Sequence, residues 1–121
     1  MTRVLVLEDS PDLLQLLRVE LEAHGFEVAS ASSGEAALRL MERAAADVVL
    51  TDLFMPDKDG LETILELRTR YPSARIIAMS GWESRAGLDY LKVAREIGAE
   101  RTFRKPFDMD ELIAALRPTS A

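Results

Sequence analysis

The strongest constraint on this chain's fold is a rhythm. Short apolar runs rich in β-branched residues alternate with longer segments of helical period, five times over. Continuous apolar runs suit strands covered on both faces, and strands separated by helices run parallel. The first run is Val4-Leu5-Val6-Leu7, and Ser10-Pro11 then places a capping hydroxyl before a proline at the first helical position. Leu14, Leu17 and Leu21 repeat at helical spacing until His24-Gly25 stops the helix. Phe26 to Ala31 reads as a second strand, and Ser33 opens a second helix with Ala37, Leu40, Met41 and Ala44 on one face. Val48-Val49-Leu50 is a third strand that runs into Thr51-Asp52, followed by a loop punctuated by Pro56 and Gly60. Leu61, Ile64 and Leu65 mark a third helix that ends near Tyr71-Pro72, because the residue before a proline disfavours the helical region. A fourth strand covers Ala74 to Met79 and closes at Ser80-Gly81, and Tyr90, Val93, Ala94 and Ile97 line a fourth helix up to Gly98. The fifth unit is a short strand, Arg101 to Arg104, then Lys105-Pro106, then a helix from Asp108 with Met109, Leu112, Ile113 and Leu116 on one face.

Five βα units in 121 residues predict an α/β fold, an open five-stranded parallel sheet between two layers of helices. A closed barrel of the common kind needs more units than this. The length suits one domain over 1–117, with 118–121 as a C-terminal tail or the start of a linker. Hydrophobic residues make up 48% of the chain, enough for a real core, so disorder is not expected. The absence of cysteine removes disulfide scaffolds, thiolate metal sites and thiol nucleophiles, and a single histidine, His24, removes multi-histidine metal sites. With 15 basic against 21 acidic residues the net charge is −6, which argues against a nucleic-acid backbone as direct partner. The apolar start is too short for a signal peptide, and no run reaches the roughly eighteen apolar residues of a membrane span. A cytoplasmic protein without membrane contact is therefore expected.

In an open α/β sheet, ligands sit outside the carboxyl ends of the strands. The polar residues expected there are Glu8-Asp9 after the first strand, Asp52 after the third, Ser80 after the fourth and Lys105 after the fifth. Three carboxylates brought close together repel one another unless a hard cation or raised pKa values relieve them. Magnesium fits, because it takes oxygen ligands and is usually held by one or two carboxylates plus phosphate oxygens. The backbone carbonyl of Phe54 would complete the protein's share of the ligands. Lys105 supplies a positive charge and Ser80 a hydroxyl donor for phosphoryl oxygens, so the set suits phosphoryl transfer to an aspartate. Blander roles compete with each assignment. Glu8-Asp9 would favour a helix N-terminus, Asp52 and Ser80-Gly81 would suit turns, and His24 reads as a helix-end residue.

The pattern Glu8-Asp9, Asp52, Met55-Pro56, Gly60, Ser80-Gly81 and Lys105-Pro106-Phe107 resembles the receiver domain of two-component response regulators, of the chemotaxis-regulator kind, from about Val4 to Leu116. That resemblance implies a flavodoxin-like three-layer sandwich with strand order 2-1-3-4-5 and a cis Lys105-Pro106 bond. It implies Asp52 as phosphoacceptor, Glu8 and Asp9 as the magnesium-holding acidic pair, Ser80 as the switch hydroxyl and Lys105 as the lysine that contacts the phosphoryl group. The implied donor is a sensor histidine kinase or a histidine phosphotransfer protein. The implied output is a changed surface on the fourth helix, fifth strand and fifth helix, read by a downstream effector protein, an output domain or a second copy as a homodimer. Such a chain is a switch that catalyses only its own phosphorylation and dephosphorylation.

This chain departs from the family at three positions. Thr102 stands where receivers often carry an aromatic switch residue, and Phe103, one place on, should face the other side of its strand. Phe54 and Trp82, two residues past the acceptor and the switch hydroxyl, are bulky and apolar, and are expected to hinder the hydrolytic water and slow dephosphorylation. A small aspartyl-phosphate phosphohydrolase would carry a second acid where Phe54 stands. A flavodoxin-like module for a flavin or nucleotide would need a less acidic first loop than Glu8-Asp9-Ser10-Pro11. With the whole fold spent on the receiver, its effect must pass through its surface to another molecule or to sequence outside these residues.

Overall fold

The structure, a computed structural model, describes residues 1–53, 60–81 and 89–118. Strands β1 (Arg3–Leu7), β2 (Glu27–Ala31), β3 (Val48–Asp52), β4 (Arg75–Ser80) and β5 (Arg101–Arg104) alternate with helices α1 (Pro11–Ala23), α2 (Gly34–Arg43), α3 (Gly60–Arg70), α4 (Tyr90–Ile97) and α5 (Met109–Leu116). The strands form one parallel sheet in the order β2-β1-β3-β4-β5. The fold class is that expected from the sequence pattern, and the strand order is that implied by the resemblance.

The continuous apolar strands arise because both faces of the sheet are covered. Leu5, Leu7, Val49, Ile76 and Ala78 face one core with Ala37 and Met41 of α2, Ile64 and Leu67 of α3 and Ala94 of α4. The alternate residues Val4, Val6, Val48, Leu50, Ile77 and Met79 face a second core with Leu17 and Leu21 of α1 and Leu112 and Leu116 of α5. This is the twofold alternation of a pleated strand, and each large side chain so buried contributes about 2 kcal/mol of transfer free energy. The edge strands β2 and β5 are only partly buried.

The helix starts follow their sequence signals. Ser10, Ser33, Asp89 and Asp108 each accept a backbone N–H two or three residues into the helix they open. Some details differ from the sequence reading, and β4 is shifted by one residue from the expected Ala74 to Met79. Phe26 lies before β2 and packs into the α1/α5 core. Leu65 is 50% exposed, because its neighbour Ile64 takes the inward position on α3. Ala44 is the exposed C-cap of α2, past its apolar stripe.

At the edge of the sheet where the strands begin, the Arg75 guanidinium uses all of its donors. Nε and Nη2 bond the Glu100 carboxylate, Nη1 bonds the carbonyls of Leu116 and Arg117, and Nη2 also bonds that of Ala115. The last turn of α5 is thereby held to β4.

Candidate functional site

The opposite edge gathers the polar residues. β1 runs apolar to Leu7, so Glu8 is its first polar residue, and the Glu8 N–H extends the ladder to the Ala31 carbonyl at 3.1 Å. The Glu8 side chain is buried and its Oε2 accepts the Ser10 N–H at 2.9 Å, which turns the chain into α1. Asp52 is the last residue of β3 and is buried, whereas Asp9 is exposed. Carboxylate oxygens of Glu8, Asp9 and Asp52 lie within 4.8 Å of one another.

Lys105 reaches this cluster from the end of β5. Its Nζ donates to Glu8 Oε1 at 2.7 Å and to Asp52 Oδ2 at 3.1 Å. The Lys105-Pro106 peptide is cis, as expected. Ser80, fully buried, ends β4 one residue past Met79, the register partner of Asp52, and its carbonyl accepts the Lys105 N–H at 2.9 Å. The two phosphoryl-facing candidates are therefore tied together by backbone.

Burial pushes the Glu8 carboxyl above its ordinary value. Bonds from Lys105 and the Ser10 N–H oppose the rise, and the Asp52 charge adds to it. Burial pulls on Lys105 in the opposite sense, but its bonds to Glu8 and Asp52 and their charges outweigh this, so its ammonium is held above its ordinary value. Carboxylate repulsion is relieved by the raised Glu8 value and by Lys105, a cation of the chain itself that the sequence reading assigns to a phosphoryl oxygen.

The backbone around Asp52 is closely packed. The Gly60 N–H bonds the Leu53 carbonyl at 3.1 Å, and a Cβ on Gly60 would fall 2.5 Å from Leu53 Cα and 2.7 Å from the Asp52 carbonyl oxygen. Only glycine allows α3 to begin this close to the acidic strand end. On the other side, the buried Thr51 hydroxyl donates to the Asp52 carbonyl at 2.9 Å. Sequence reasoning passed over Thr51, because a β-branched residue in a strand carries no signal beyond strand propensity.

Phe54, Met55-Pro56 and Trp82 lie outside the described residues. Phe103 is buried in the α1/α5 core and meets Phe107 edge to face, with centroids 6.1 Å apart, as alternation from Thr102 requires. His24 caps α1, its N–H on the Glu20 and Leu21 carbonyls and its Nδ1 2.9 Å from the Glu20 carbonyl oxygen, so the helix-end reading is the observed one.

The donor set is all oxygen, from three clustered carboxylates, which fits a hard divalent cation such as magnesium. A carboxylate nucleophile, a cation and a hydroxyl on neighbouring strands suit phosphoryl transfer. No helix among the described residues is long and apolar enough to cross a membrane.

A family model described as "Response regulator receiver domain" matches residues 4–117. Transcriptional regulatory protein KdpE of Mycobacterium tuberculosis (strain CDC 1551 / Oshkosh) is 38% identical over 117 residues, covering 97% of this chain and 50% of that protein. The chain spans about half the length of that relative and of others such as Sensory transduction protein RegX3. Sporulation initiation phosphotransferase F of Bacillus subtilis (strain 168) is 29% identical over 115 residues, covering 95% of this chain and 90% of that protein. Among solved structures, a response regulator receiver domain protein from Clostridium thermocellum superimposes with a TM-score of 0.86 at 31% identity, over 96% of this chain and 91% of that one.

Proposed function

The chain belongs to the response-regulator receiver-domain family, and from that premise we propose that Asp52 is its phosphoacceptor. The carrying observation is the convergence of Glu8, Asp9, Asp52, Ser80 and Lys105 at one sheet edge, with Lys105 bonded to both Glu8 and Asp52. In this reading an Asp52 carboxylate oxygen attacks the phosphorus of a phosphohistidine on a sensor kinase or phosphotransfer protein. The phosphorus–nitrogen bond breaks, the imidazole keeps the electron pair and takes a proton from solvent, and an aspartyl phosphate results. Lys105 Nζ and the Ser80 hydroxyl donate to the phosphoryl oxygens, strengthening as charge gathers there. Glu8, Asp9 and Asp52 would hold magnesium, which when bound neutralises phosphoryl charge. Hydrolysis reverses the modification: water adds at phosphorus, Asp52 leaves as a carboxylate, and phosphate is released.

The chain acts on itself, so it is a switch and not an enzyme with turnover on a separate substrate. Bonds donated by Ser80 and Lys105 to the phosphoryl group favour one arrangement of the α4-β5-α5 surface, a population shift that a partner or a second copy reads. KdpE is named as a transcriptional regulatory protein and is about twice as long as the matched segment. The corresponding reader here is an output domain or a separate effector, and a cytoplasmic location goes with that role.

Beryllofluoride, which mimics the phosphoryl group, tests this reading. With magnesium, amide shifts should change at Asp52, Ser80 and Lys105 and extend over α4, β5 and α5. Shifts confined elsewhere would contradict it.

A further inference from the structure

Thr51 precedes the proposed nucleophile, and by strand alternation it shares a face with Val49, away from the acidic cluster. Its register neighbours, Leu7 and Ala78, belong to the apolar core beneath α2, α3 and α4. A hydroxyl fully buried in such surroundings is costly unless bonded, and valine would offer the same shape without the polar atom. The hydroxyl donates 2.9 Å to the carbonyl of Asp52 itself. The other end of that peptide unit, the Leu53 N–H, bonds the Met79 carbonyl at 3.1 Å. Gly60 presses on the same unit, with room for no Cβ beside the Asp52 oxygen. Both polar ends of the peptide that follows Asp52 are therefore pinned, which fixes the direction of its Cα–Cβ bond.

We infer that Thr51 is a positioning residue for phosphoryl transfer, its buried hydroxyl holding the Asp52 peptide so that the carboxylate meets phosphorus in line. The inference rests on the reading of Asp52 as phosphoacceptor. Thr51 lies on the strand face away from the acidic cluster, so its loss would alter rate through the geometry of Asp52.

The test compares wild type, Thr51→Val, Thr51→Ser and Asp52→Asn with magnesium and acetyl phosphate, following adduct formation against donor concentration alongside thermal unfolding. In Thr51→Val the maximal rate should fall by about fivefold or more, with half-saturation little changed, and in Thr51→Ser it should return to within about twofold of wild type. Thr51→Val leaves the Asp52 carbonyl without this donor and should melt somewhat lower than wild type, with Thr51→Ser close to wild type. Wild-type rates in Thr51→Val overturn the inference and leave Asp52's role standing. Equal slowing in the valine and serine variants also overturns it, since that points to packing. No adduct on wild type, or an adduct on Asp52→Asn, removes the underlying reading and this inference with it.

Discussion

The ammonium of Lys105 lies 2.7 Å from Oε1 of Glu8, so a carboxylate placed to hold a cation already carries one supplied by the chain. The same nitrogen reaches Asp52 at 3.1 Å. Magnesium, if held there as proposed, would compete with the lysine for the same oxygens, and the lysine offsets the repulsion among the clustered acids.

Replacing the lysine separates these roles. Lys105→Met should bind magnesium about tenfold more tightly, because one competing positive charge is gone, while phosphorylation slows for want of a donor to the phosphoryl group. Calorimetric titration with magnesium checks the first effect. Unchanged or weaker binding would show that Lys105 does not compete for the site.

Glu8 gives a pH dependence whose sign is opposite to that of most carboxylates. Its folded pKa is raised above the ordinary 4.5 by burial, against the opposing bonds from Lys105 and Ser10. The group's favourable contribution is complete below the unfolded value and is lost as pH rises through the folded one. Metal-free Glu8→Gln should therefore gain on wild type as pH rises out of the acid range. Urea unfolding over a pH series in the presence of chelator measures this. A variant that loses ground with rising pH would contradict the raised value.

Magnesium should stabilise the wild-type fold by mass action, by about 2.7 kcal/mol at a hundredfold excess over its dissociation constant. Asp9→Asn should gain less, since Asp9 is one of the three clustered carboxylates. Thermal unfolding with magnesium and then with excess chelator reads both. Equal stabilisation of the two proteins would take Asp9 out of the metal site.

Far from that edge, Arg75→Met would leave the carbonyls of Ala115, Leu116 and Arg117 without this donor and Glu100 without its partner. A loss of about 2 kcal/mol is expected, with faster hydrogen exchange at the end of α5 and an unchanged rate of modification at Asp52. A urea midpoint equal to wild type would mean that water replaces the guanidinium without cost.

The fold was legible because runs such as Val4 to Leu7 are apolar on both faces, which excludes most other sheets, and because Ser10, Ser33 and Asp108 announce their helices. Periodicity failed where two apolar residues adjoin, as at Ile64 and Leu65, where packing chooses one. The acidic residues and Lys105 were legible because each is polar at the end of a strand, and topology sends all such ends to one edge. Thr51 and Arg75 were not, because their meaning lies in a single hydrogen bond and in contacts about 40 residues away along the chain, neither of which has a local signature. Gly60 read as loop punctuation, yet its role is close approach to the Asp52 backbone.

Asp52 as phosphoacceptor is tested most directly by the intact mass after incubation with magnesium and acetyl phosphate. Wild type should gain one phosphoryl group only when magnesium is present, and Asp52→Asn should gain none. A wild-type chain that stays unmodified, or an Asp52→Asn chain that still acquires the group, would contradict the assignment.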